Sequence, residues 1–183
     1  MTEDRAAEVH AGEPCIDGSA ILHRRGHPLW HGFELVADGQ VVAELGRRSW
    51  LWIFLGPGQR VLLADGARGR IAARAKGRYI APVVLDRQRR VVGRALPGPG
   101  GTYGINAARS GYRLVPHSPN TWRRRSNVWE LRRHDLVVAD LTLSPSRITT
   151  AEPVPISVVL LAFTVMELGI PGEEDLGLRS HGW

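Results

Sequence analysis

Residues 155–171, PISVVLLAFTVMELGIP, limit what this chain can fold into more than any other stretch does. Between the two prolines only Ser157, Thr164 and Glu167 are polar. As a helix, 17 residues at about 1.5 Å each reach roughly 25 Å, short of a hydrocarbon core about 30 Å thick, and Glu167 would fall inside it. A transmembrane span is therefore not expected. A helix lying in a membrane surface needs a charged face, yet no basic residue occurs between Arg147 and Arg179. Spacings of seven and three put Ser157, Thr164 and Glu167 on one narrow stripe, so the helix is apolar nearly all round and is expected to be surrounded by protein. Pro153 and Pro155 suit its start, and Gly169 with Pro171 suits its end.

The material that could surround it is β-like. Phe33–Ala37 and Val41–Leu45 flank Asp38-Gly39, a tight turn that wants positive φ at both central positions. The pattern of apolar run, Asp turn and apolar run returns three times. Val61–Asp65 with Gly66 leads to Ile71–Arg74, and Val83–Asp86 turns through Arg87-Gln-Arg-Arg90 into Val91–Leu96. A fainter copy is Asp135–Leu143, with Asp140 as its turn. Trp50–Leu55, Tyr79-Ile80, Tyr112–Val115 and Val128–Leu131 are further strand-like pieces, separated by Gly/Pro punctuation. About ten short strands without an amphipathic helix among them predict a mainly β fold, a barrel or a sandwich.

A chain of 183 residues fits one domain. Residues 1–28 lack periodicity and read as a flexible acidic leader, 29–172 as the folded domain, and 173–183 as a polar tail. Cys15 has no partner for a disulfide, and the first residues lack a basic segment followed by an apolar one, so a cytoplasmic protein is expected. Charge is uneven. From Arg60 to Arg133 there are 17 Arg or Lys against three acids, whereas the flanks are acidic. A basic block suits an anionic partner. It also suits GC-rich coding, since Lys76 alone among the 24 basic residues is lysine.

The strand string, the Asp/Gly hairpins at Leu35–Val42 and at Val83–Asp86 with Val91–Gly93, and the late apolar run Ile156–Ile170 together resemble the tubby C-terminal-like superfamily. The superfamily includes the tubby domain, the phospholipid scramblases and the LURP-one-related proteins. That resemblance covers residues 30–172. It implies a closed antiparallel β-barrel of about a dozen strands around one buried hydrophobic C-terminal helix, residues 155–170. The scramblase branch is matched in fold only, for the chain has no Asp-rich calcium loop and no cysteine cluster. The tubby branch implies binding of anionic headgroups, although no individual residue here matches its groove.

Candidate contacts follow from charge and aromatic content. Trp122 with Arg123, Arg124 and Arg125, followed by Trp129, is the densest basic and aromatic cluster and is the first candidate for binding phosphate groups. Arg87, Arg89 and Arg90 are the second. Either set could also be a solvated hairpin loop. His23, His27 and His31 are spaced four apart as on a metal-binding helix face, but Gly26 and Pro28 interrupt such a helix, so no metal is expected. Pro97–Gly104 is glycine-rich without the Gly-Lys-Ser/Thr of a phosphate loop. No nucleophile elbow or paired-carboxylate site occurs, and neither catalytic residues nor a cofactor are expected. The expected partner is an anionic phospholipid surface, with the protein peripheral at the inner membrane face. A nucleic-acid-binding barrel and a scaffold contacting another protein are the alternatives, with a small enzyme whose site is dispersed along the sequence behind them.

Overall fold

The computed structural model describes residues 13–27, 30–46, 59–76, 79–107, 110–118 and 126–168. The strands are β1 (Cys15–Ile16), β2 (Ser19–His27), β3 (Trp30–Ala37), β4 (Gln40–Leu45), β5 (Gln59–Leu63), β6 (Arg68–Lys76) and β7 (Tyr79–Leu85). They continue as β8 (Val91–Pro97), β9 (Tyr103–Ala107), β10 (Ser110–Pro116), β11 (Val128–Arg133), β12 (Leu136–Leu143), β13 (Ser146–Thr150) and β14 (Val154–Pro155). Helix α1 (Ile156–Leu168) closes the sequence of elements.

Strands β2 to β13 each pair antiparallel with the next, and β13 returns to β2 with Arg147 opposite Ile21. The result is a closed barrel of 12 antiparallel strands. An even count is what lets an up-and-down meander close antiparallel. Alternating direction also sorts the connections. The turns joining β3 to β4, β5 to β6, β7 to β8, β9 to β10 and β11 to β12 all lie at one end, and four of them carry Asp38, Asp65, Asp86 and Asp135. The repeated Asp turns of the sequence thus mark one end of the barrel.

The strands alternate with period 2. Leu35, Ile71, Ile105, Leu114, Leu131, Leu141 and Ile148 are fully buried, whereas Glu44, Arg60, Arg113, Asp140 and Arg147 are exposed. The charged side chains face outward, the reverse of a membrane-spanning barrel with its apolar outer band. No helix among the described residues is long and apolar enough to cross a membrane.

A 12-stranded barrel is too wide for wall side chains alone to fill. Helix α1 fills it. From Ile156 to Met166 every residue is buried, and even Ser157 and Thr164 are only 8% and 9% exposed. The Thr164 hydroxyl donates to the Leu160 carbonyl at 2.7 Å, which satisfies it inside the helix's own backbone. The helix lies nearest β7, β8 and β9. Gly93 on β8 makes that approach possible, because a Cβ there would stand 2.9 Å from Ala107 Cβ and 3.1 Å from Leu161 Cδ1.

Two expectations change. Residues 13–27 are not a leader: β2 is a wall strand and closes the barrel, and Ile16 is buried. Strand β1 pairs with β14, and the chain just before it caps α1. The Ile156 N–H donates to the Pro14 carbonyl at 3.0 Å, and the Ser157 N–H donates to a Glu13 carboxylate oxygen at 3.2 Å. Two amides left orphaned by the first helical turn are thereby satisfied, with a negative charge at the positive end of the helix. Asp140 is not a turn either. It points outward from the middle of β12, and the turn falls at His134-Asp135, with φ of 49° and 67°.

Replacing Glu13→Ala is expected to lower unfolding free energy by about 1 kcal/mol, the usual cost of a lost helix cap. Denaturant unfolding checks this, and a residue in a loose leader would leave the midpoint unchanged.

Candidate anion-binding site

The pairing of β6 with β7 sets two turns of the Asp-turn end side by side. The first, between β5 and β6, is closed by backbone bonds from Leu63 N–H to the Ala67 carbonyl and from Gly66 N–H to the Leu63 carbonyl, both 2.9 Å. The Ala67 N–H also donates to Asp65 Oδ1 at 2.8 Å. The second turn, between β7 and β8, is organised by Asp86. Its Oδ1 accepts the Arg90 N–H at 2.8 Å, and its Oδ2 accepts Arg90 Nε–H at 2.7 Å. The Arg89 N–H donates to the Asp86 carbonyl, which places Arg89 in the left-handed region at φ 64°.

Between these turns is an open groove of about 650 Å³, lined by Gly66, Ala67, Arg68 and by Asp86, Arg87, Gln88 and Arg90. Three arginines share the groove with one carboxylate. Arg68 and Arg87 have no carboxylate partner among the described residues, whereas Arg90 is tied to Asp86. Desolvation, the largest single influence, acts upward on the Asp86 carboxyl, but the hydrogen bonds from the Arg90 amide and guanidinium, the Arg90 charge and the Gln88 amide together outweigh it and hold the group below the usual carboxylate range. Asp86 is therefore ionised at neutral pH, and the groove keeps a net positive charge suited to a phosphate-sized anion.

Arg87 and Arg90, grouped from the sequence as members of one turn, both line the groove. Arg89, grouped with them, does not line the groove. Arg68 was missed, because only the β6–β7 pairing brings residue 68 to residue 87. Trp122, Arg123, Arg124 and Arg125 lie outside the described residues. Trp129, which follows that cluster in the sequence, is buried inside the barrel at 1% exposure. Its Nε1–H donates to the Ser126 carbonyl at 2.9 Å. It is a core residue, unavailable for stacking.

The three histidines do not share a helix face. In the β2–β3 ladder His23 lies opposite Glu34 and His31 opposite Gly26. A different group, His117, Glu130 and Asp140, brings its ligand-type atoms within 4.8 Å of one another on the outer wall. Glu130 and Asp140 are directly opposed across β11 and β12, a repulsive pair. Arg132 resolves it: Nε donates to Glu130 Oε2 at 2.8 Å, and His117 Nε2 lies 2.9 Å from Oε1. The Arg132 hydrogen bond, outweighing desolvation and aided by the charges of Arg132 and His117, holds the Glu130 carboxyl below its ordinary range. A guanidinium is thus already paired with the Glu130 member of this group.

No protein-family model, no curated protein and no solved structure matches this chain.

Two outcomes follow. Asp86→Asn, which removes the only carboxylate of the groove and releases the Arg90 head, is expected to tighten binding of inorganic phosphate or of anionic vesicles, read by titration calorimetry. Arg132→Gln removes the main cause of the lowered Glu130 pKa. A lowered pKa stabilises the fold above the ordinary carboxylate range and stops doing so as pH falls through the folded value. The variant should therefore be less stable than wild type at neutral pH and equal to it in acid, measured by thermal melts across pH.

Proposed function

We propose that this barrel is a non-catalytic binding module for an anionic partner, phospholipid headgroups at a membrane surface, held in the groove between Arg68 and the Asp86–Arg90 turn. The observation that carries this reading is the convergence of Arg68, Arg87 and Arg90 on one open groove with a single carboxylate among them. With α1 in the lumen, a ligand can reach the barrel only at its surface and ends. A rigid wall of paired strands holds both turns, so little ordering is needed when an anion arrives.

The order of elements, 12 strands followed by an axial apolar helix, supports kinship with the tubby C-terminal-like superfamily and its LURP-one-related branch. The protein would then act from the cytoplasm, peripheral at the inner membrane face. Single-stranded nucleic acid is a weaker fit, because Trp129 faces the core and no aromatic lines the groove.

Co-sedimentation with vesicles tests the reading. Binding to phosphatidylcholine vesicles containing phosphatidylserine should exceed binding to phosphatidylcholine alone and fall with added salt. Arg68→Gln and Arg87→Gln should each weaken it about fivefold, on the order of 1 kcal/mol per arginine near an anionic surface. Binding lost only on replacing Arg123, Arg124 and Arg125 would move the site to that segment. Equal binding to both vesicle types, or complete displacement by single-stranded DNA, would refute it.

A further inference from the structure

Six large apolar side chains are exposed among the described residues: Val41, Leu62, Val91, Val92, Leu136 and Val137. Scattered singly, such residues would need no explanation. Each of the six is nevertheless one of the two strand residues nearest, or next but one to, a turn of the Asp-turn end. Val41 follows the turn from β3 to β4, and Leu62 precedes the one from β5 to β6. Val91 and Val92 open β8, and Leu136 and Val137 open β12. Leu136 is the extreme case, 72% exposed at the tip of its hairpin.

The apolar rim is interleaved with arginine. Leu62 lies opposite Arg68, Val137 opposite Arg132, and Leu136 opposite Arg133. Val91 directly follows Arg90. Arg132, Arg133 and Arg90 are engaged with Glu130, Glu152 and Asp86, so the cationic part of the rim is the groove at Arg68 and Arg87. Asp65, Asp86 and Asp135 stand in the β5–β12 part of this end against Arg68, Arg87, Arg89, Arg90 and Arg133, which leaves it net positive, whereas Asp17 before β2 and Asp38 after β3 lie on its other side. The sector running from β5 to β12 therefore combines cations with projecting aliphatic side chains.

We infer that this sector of the Asp-turn end is a bilayer-docking surface, with Leu136, Val137, Val91 and Val92 entering the headgroup and upper acyl region while the Arg68–Arg87 groove holds an anionic headgroup. The inference rests on the headgroup reading of the groove and adds an orientation and a penetrating rim to it. Valine and leucine cannot stack on bases, and a free anion in the groove would have no use for Leu136. An anionic bilayer presents both chemistries at once, phosphates above and hydrocarbon beneath. The barrel would stand with its Asp-turn end down and tilted, the acidic β2–β4 side away from the lipid.

The test uses the full chain with vesicles of phosphatidylcholine containing phosphatidylserine. Leu136 and Val137 are exposed, so Leu136→Ser with Val137→Ser should keep the wild-type thermal melt while weakening vesicle affinity by at least about tenfold, given the gain from burying aliphatic side chains. In a Cys15→Ala background, an environment-sensitive fluorophore at Leu136→Cys should shift to the blue on adding anionic vesicles, and one at Arg147→Cys on the outer wall should not. If the double serine variant binds as wild type does and the label at 136 stays in water, penetration is overturned, while loss of binding in Arg68→Gln leaves the headgroup reading standing. No binding to anionic vesicles overturns both. A dimer in solution that Leu136→Ser dissolves would also overturn the inference, assigning the rim to a second copy.

Discussion

Burial of an all-apolar helix in the barrel lumen is the interaction on which the remaining structure depends. A 12-stranded wall closed on itself has no sheet edge left to pair, but it encloses more space than its own inward side chains can occupy. Helix α1 supplies the missing volume, and it does so without a polar face because every side of it meets wall residues. The wall in turn removes α1 from water and membrane alike. Each part solves a problem that the other would have alone, as expected of a sequence whose levels agree.

That mutual dependence explains why the helix and the hairpins were legible in the sequence. An apolar run with three polar residues can be soluble only inside something, and Asp38-Gly39 specifies its turn through a backbone that observes the rule: both φ angles are positive, 50° and 74°. Strand β2 was not legible. Its segment, SAILHRRGH, has one wet face rich in Arg and His and buries few of its side chains, so it carries no run that stands out from a leader. Its strand character comes from the partners on either side, β13 and β3, at sequence separations that local pattern does not reach. The same holds for Asp140, which reads as a turn residue and is instead an outward position opposite Glu130.

The candidate groove divides in the same way. Arg87 and Arg90 are neighbours in sequence and were found by counting charges. Arg68 joins them through strand pairing, and Asp86 joins as a turn-former whose carboxylate is engaged by one of the cations it adjoins. Charge density alone would have favoured all three arginines of the turn equally. The structure distinguishes them, since Arg89 takes the left-handed conformation that closes the hairpin and is not among the residues lining the groove.

The closing ladder has a consequence for how this protein comes into being. Ile21 pairs with Arg147, and the helix that fills the lumen follows every strand of the wall. During synthesis the hairpins can form one after another as they leave the ribosome, but neither closure nor filling is possible until β13 and α1 have emerged. Until then the growing sheet has two open edges and an apolar inner face without its plug, the condition in which β chains associate with one another. Closure of the wall and filling of its lumen therefore both wait on the last strand of the ladder and the helix that follows it.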